Sequence, residues 1–102
     1  MTDSAKACLV TGAARGIGLA TTKRLLADGW QVAMVDIDGP ELRRAAEGLE
    51  GVLPIEADVS DPAHVETMRR TVGEAFGRLD GLVNNAGVAT FGPIAQTDYA
   101  AW

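Results

Sequence analysis

Gly12, Gly16 and Gly18 fall within "TGAARGIGLA", residues 11–20, between a short apolar run and a stretch of helical periodicity. A strand that hands over to a helix presents the first N–H groups of that helix and the positive end of its dipole, and a diphosphate suits both. Glycines keep side chains out of that approach. The spacing matches neither the G-x-G-x-x-G fingerprint nor the P-loop, and no Lys-Ser/Thr pair follows to handle a triphosphate. A kinase or NTPase is disfavoured. A turn of this kind also serves to pack a strand on a helix with no ligand at all. Asp36 supplies a second piece of chemistry. It closes the next apolar run, where in a doubly wound sheet a carboxylate accepts hydrogen bonds from the adenosine ribose hydroxyls and repels a 2′-phosphate. Its plainer role is to cap the helix that follows, although Asp38 is available for that. Arg15 points the other way, because a cation beside the phosphate loop favours NADP. Asp36 weighs more, since it would face the discriminating group itself.

These residues need elements to hold them. Ala7 to Thr11 is a short apolar run of the kind buried on both faces of a sheet. From Gly16 the period changes, with Ile17, Ala20 and Leu25 on one helical face and "ADG" at 27–29 as its stop. Trp30 to Val35 is strand-like and closes on Asp36. "DGPE" at 38–41 has the form of a capping box with a proline in the first turn, and Leu42, Ala45, Ala46 and Leu49 share the face of the helix it opens. Val52 to Val59 reads as a third strand, and Pro54 confines it to a sheet edge because proline donates no ladder hydrogen bond. "SDP" at 60–62 starts a third helix, carried by Val65, Met68, Val72 and Ala75 and stopped at Gly77. Leu79 to Val83 is the fourth strand and leads into "NNAG" at 84–87. Val88 to Gln96 is loop-like, and Thr97 is a candidate cap for a further helix.

Strands alternating with helices predict an α/β fold with a parallel sheet and right-handed crossovers. The 102 residues are expected to form one dinucleotide-binding domain. Lys and Arg total 9 against 14 Asp and Glu, so the broad basic face that nucleic-acid binding requires is missing. Cys8, the single cysteine, lies in the first apolar run and supports neither a disulfide nor a Cys-based metal site. The N-terminus resembles no secretory signal and no run reaches a membrane span, so a cytoplasmic protein without nucleic-acid or membrane partners is expected.

"TGAARGIG" after the first strand, Asp36 after the second, Asp58 and Val59 after the third and "NNAG" after the fourth together resemble a short-chain dehydrogenase/reductase of the single-domain type. The resemblance runs over the whole chain, to "GPI" at 92–94 and Trp102. It implies a doubly wound, Rossmann-type α/β sheet of order 3-2-1-4 in three α/β/α layers, incomplete on its C-terminal side, with NAD as cofactor and NADP less favoured. Gly12, Arg15, Gly16, Ile17 and Gly18 would meet the diphosphate and Asp36 the adenosine ribose. Asp58 and Val59 would lie beside the adenine, and Asn85, Ala86 and Gly87 would line the nucleotide. Plainer roles compete: Asp58 as a cap for the next helix, and "NNAG" as a turn that stabilises the sheet.

In that family a serine, a Tyr-x-x-x-Lys pair and a supporting asparagine beyond the fourth strand serve the interconversion of a secondary alcohol and a ketone, the phenol exchanging a proton with the substrate oxygen while nicotinamide exchanges hydride with its carbon. None can be placed here, since the serines are Ser4 and Ser60, the lysines Lys6 and Lys23, and Tyr99 comes too early. No catalytic residue is therefore assigned. His64 reads as a surface or packing residue, and Glu41, Glu47 and Glu50 as a solvated face. The expectation is the cofactor-binding portion of a longer reductase. The alternative is a non-catalytic nucleotide-binding or dimerising module, and the apolar fourth strand, an unprotected edge, predicts self-association in either case. A methyltransferase, which also places an acid after the second strand, draws no support from "NNAG".

Overall fold

The structure, a computed structural model, describes residues 5–85. Its elements run β1 (Ala7–Thr11), α1 (Gly16–Ala27), β2 (Gln31–Asp36), α2 (Gly39–Ala46), β3 (Val52–Glu56), α3 (Pro62–Phe76) and β4 (Gly81–Val83). The four strands form one parallel sheet in the order β3-β2-β1-β4. This is the predicted doubly wound arrangement. Pro54 lies opposite Met34 in edge strand β3, where its missing N–H costs no ladder bond.

Alternation along the central strands divides the core in two. Cys8, Val10, Val32 and Met34 face the layer of α1 and α2, where they meet Leu42, Ala46 and the half-buried Leu25, Leu26 and Trp30. Leu9, Ala33 and Val35 face α3 and pack on Val65, Met68 and Val72. Leu9, Met34, Leu42 and Met68 are almost wholly buried, and each such side chain contributes about 1.5–3 kcal/mol. Burial pushes the Cys8 thiol above its ordinary range, in line with a core role.

Several expectations change in detail. Ile17 and Ala20 are exposed, Ile17 by 74%, and the buried face of α1 is instead Gly18 and Thr22 flanked by Leu19, Leu25 and Leu26. The cause is the close seat of α1, which only small residues allow. Ala75 is likewise exposed, and the half-buried Phe76 packs in its place. β3 stops at Glu56, because the chain turns at Asp58 to enter α3. β4 begins at Gly81, because Asp80 is taken up by a clamp at the other end of the sheet. Its carboxylate accepts from the Ala7 N–H at 2.9 Å and from both Arg78 Nε at 2.7 Å and Nη2 at 2.8 Å. These bonds, Arg78 foremost, pull the Asp80 carboxyl down to about 2.

Candidate functional site

Crossovers run from β1 to one side and reach β4 on the other, so the sheet has a switch point at the carboxyl ends of β1 and β4, where open α/β sheets hold ligands. The turn that follows β1 lies across this end. Gly12 and Gly16 take φ of +63° and +60°, a left-handed backbone that glycine adopts without strain. Between them Ala13 and Ala14 are buried, and their N–H groups donate to the Val35 carbonyl at 3.1 Å and to Asp36 Oδ2 at 3.0 Å. The turn is therefore fastened to the end of β2.

Gly16 and Gly18 do different work. A Cβ at Gly16 would meet nothing within 4 Å, whereas one at Gly18 would collide with the Gly12 carbonyl and approach Asn85 Nδ2 at 3.0 Å. Gly18 brings α1 against β1, and Gly16 leaves space open above the helix entrance. Arg15 is the N-cap of α1 in an extended conformation, and no side chain accepts from the first turn.

Asp36 receives two backbone bonds, from Ala14 on Oδ2 and from Asp38 at 3.0 Å on Oδ1. Each oxygen keeps acceptor capacity beyond them. Asp38 caps α2 by accepting from the Glu41 N–H at 3.2 Å, but the reciprocal half of the expected capping box is absent, since the Asp38 N–H goes to Asp36. Asp38 also pairs with Arg15 at 2.7 Å. The Glu41 N–H first and Arg15 second hold the Asp38 carboxyl below the usual range.

On the other flank, Thr11 joins β1 to the end of β4. Its hydroxyl accepts from the Asn85 N–H at 2.9 Å and donates to Asn84 Oδ1 at 3.2 Å, while Asn85 Nδ2 reaches the Gly12 carbonyl at 3.4 Å. Thr11 is fully buried and escaped sequence reasoning, although a hydroxyl at the end of an otherwise apolar strand was its visible signal. Asn84 is part of the "NNAG" motif, but the resemblance gives it no role.

Asp58 and Val59 lie just past β3 at the same end, where the Ala57 N–H donates to the Asp36 carbonyl at 3.1 Å. Val59 packs on the α3-side core. Asp58 does not cap α3: its Oδ1 accepts from the Ser60 hydroxyl at 2.6 Å and the Ser60 N–H at 2.9 Å, which together hold its carboxyl low. Asp61 is the cap, accepting from the Ala63 N–H at 2.9 Å. Thus Gly12, Arg15, Gly16, Ile17, Gly18, Asp36 and Asn85 converge, with Asp58 and Val59 beside them. Ala86, Gly87, Thr97, Tyr99 and Trp102 lie outside the described residues. Among the described residues no group of three metal-binding side chains occurs, and no helix is long and apolar enough to cross a membrane.

The family model for short chain dehydrogenases matches residues 6–102. The chain belongs to that family. A 1-deoxy-11-beta-hydroxypentalenate dehydrogenase of Streptomyces arenae is 44% identical over 100 residues, covering 94% of this chain and 35% of that protein. A 2-(S)-hydroxypropyl-CoM dehydrogenase of Xanthobacter autotrophicus is 38% identical over 97 residues, covering 91% of this chain and 38% of that protein. Among solved structures, a 3-ketoacyl-(acyl-carrier-protein) reductase from Brucella melitensis complexed with NADH superposes with a TM-score of 0.73 at 33% identity, over 76% of this chain and 32% of that one. This short-chain dehydrogenase sequence thus spans about a third of the length of such relatives.

Proposed function

We propose that this chain binds a nicotinamide dinucleotide, NAD(H) in preference to NADP(H), as the cofactor-holding portion of an enzyme that interconverts a secondary alcohol and a ketone. The observation that carries the reading is the uncapped entrance of α1, open above Gly16 and bonded through Ala14 to the Asp36 carboxylate. An anion-binding helix end and a ribose-binding carboxylate then form one rigid unit. Its relatives, dehydrogenases and a reductase complexed with NADH among them, support it.

In this reading the backbone of Gly12, Gly16, Ile17 and Gly18, with Arg15 alongside, holds the diphosphate. Asp36 takes the ribose hydroxyls on its remaining lone pairs. Asp58 and Val59 border the adenine, and Asn85, Ala86 and Gly87 line the nucleotide. Bound nicotinamide supplies or accepts the hydride. These residues bind and orient rather than transfer protons, and a cytoplasmic location accords with the reading. A 2′-phosphate would face the Asp36 carboxylate, while Arg15 is engaged with Asp38. That ion pair is exposed and worth little, so it does not keep Arg15 from the diphosphate, and repulsion at Asp36, which faces the 2′ position itself, sets the preference.

Calorimetry is expected to give NADH at least about tenfold tighter binding than NADPH, roughly 1.4 kcal/mol, and Asp36→Ala to narrow that gap. Tighter NADPH binding by the unmodified protein overturns the preference, and failure to bind either overturns the reading. One observation also favours self-association. Among the described residues β4 pairs only with β1, leaving the outer edge of Gly81–Val83 unpaired. Sedimentation at micromolar concentration should reveal a dimer or larger species, and a stable monomer removes this second reading.

A further inference from the structure

His64 sits in the first turn of α3, and its ring bridges two parts of the loop before it. Nδ1 accepts the Asp58 N–H at 2.9 Å, and Nε2 lies 3.6 Å from Asp61 Oδ2. We propose that His64 is a positioning residue which, while neutral, holds the Asp58–Val59 turn beside the nucleotide site and, once protonated, releases it. The effect on ligand rests on the dinucleotide reading above; the clamp itself does not.

The hydrogen-bond inventory of imidazole carries the inference. Only the neutral ring has a lone pair at Nδ1, and with Nδ1 accepting, the proton belongs on Nε2, toward Asp61. Protonation turns Nδ1 into a donor facing another donor, so the ring must turn away and the Asp58 N–H loses this partner. The charged groups around the ring are the carboxylates of Asp61, 3.6 Å from Nε2, and of Asp58. The bond from the Asp58 N–H is open to the neutral ring alone, and imidazoles in general change charge between about pH 5 and 8.

The Asp58 turn is also held by the Ala57 N–H on the Asp36 carbonyl at 3.1 Å, by the Asp61 N–H on the Asp58 carbonyl at 2.9 Å and by Val59 against the core, but it is the His64 ring that takes the Asp58 N–H. The Asp58 carboxylate is committed to Ser60, one step further along the same loop. Asp61 Oδ1 is committed to Ala63. His64 therefore ties the Asp58 backbone to the body of α3. A net hydrogen bond of this type is worth about a two- to tenfold change in an equilibrium.

The test compares the protein with His64→Asn, whose side-chain carbonyl is an acceptor that does not titrate, and with His64→Ala, which has none. NMR exchange of the Asp58 amide with water, corrected for its intrinsic pH dependence, is read at about pH 8 and pH 5.5 without nucleotide. The amide should be protected only at the higher pH in the unmodified protein, at both pH values in His64→Asn and at neither in His64→Ala. NADH affinity should fall about two- to tenfold on acidification in the unmodified protein and about twofold less or not at all in His64→Asn. Equal protection at both pH values in the unmodified protein, or full protection in His64→Ala, overturns the clamp. An intact clamp with an unchanged ratio of NADH affinities overturns its effect on the site. If NADH fails to bind at pH 8, the dinucleotide reading fails, while the amide measurement still judges the clamp.

Discussion

The entrance of α1 and the entrances of α2 and α3 are built on opposite plans. α2 and α3 each begin with an aspartate whose carboxylate accepts a first-turn N–H, followed by a proline in the first turn. α1 begins with an arginine whose side chain caps nothing, three residues after Gly12 and directly before Gly16. Every helix start leaves several N–H groups without intrahelical partners. Where a side chain meets that need, the helix end is closed and structural. Where none does, beneath an open space and beside a carboxylate held by the same turn, the end keeps its donors for another partner, which in the proposed function is the diphosphate of a dinucleotide. On that proposal the difference separates a stable joint from a binding site within one small sheet.

Three substitutions test that contrast, beginning with the largest effect. Gly18→Val drives a branched side chain into the Gly12 carbonyl, so α1 must lift from β1. Denaturation is expected to show a loss of about 3 kcal/mol, with dinucleotide binding abolished. Unchanged stability would mean that α1 is not seated as closely as Gly18 implies.

Arg15→Asp gives α1 the cap that its neighbours have. It should raise stability by about 0.5–1 kcal/mol through the new side-chain bond, while lowering NADH affinity at least about tenfold by placing a carboxylate at the anion site. Thermal unfolding and calorimetry on one sample decide it. Changes of the same sign in both would break the distinction between closed and open entrances. The smallest effect belongs to Asp61→Ala, which removes the cap of α3 and should cost about 1 kcal/mol in chemical denaturation. No measurable cost would show that this entrance is not closed by its aspartate.

The same contrast explains how far the chain could be read unaided. The caps at Asp38 and Asp61 concern residues two or three apart, and local spacing makes such bonds visible. Pro54 at the edge was legible for a similar reason, since a missing donor restricts where a strand can lie. Asp36 stood out because it ended a strand. Its bond to Ala14 and the engagement of Arg15 with Asp38 bring together segments separated along the chain. Ile17 misled, because its spacing suits a buried helical face, yet the tight approach at Gly18 turns that face by a residue and leaves Ile17 in solvent. Helical periodicity records where apolar residues are, not how closely the helix sits.

The alternation of apolar runs, glycine turns and capped helices was sufficient by itself to determine a parallel α/β sheet, and the motifs at the strand ends, through the family they resemble, supplied the order of its strands. The sheet is a consequence of backbone geometry and of the need to bury apolar faces. Tertiary structure alone decided which polar groups meet: Thr11 with Asn84 and Asn85, Ala14 with Asp36, Ala7 with Asp80, and Asp58 with His64. A hydrogen bond depends on distance and direction to within a few tenths of an ångström. That precision is set by the packing of Gly18 on Gly12 and of the strands on one another, and no single segment of sequence contains it.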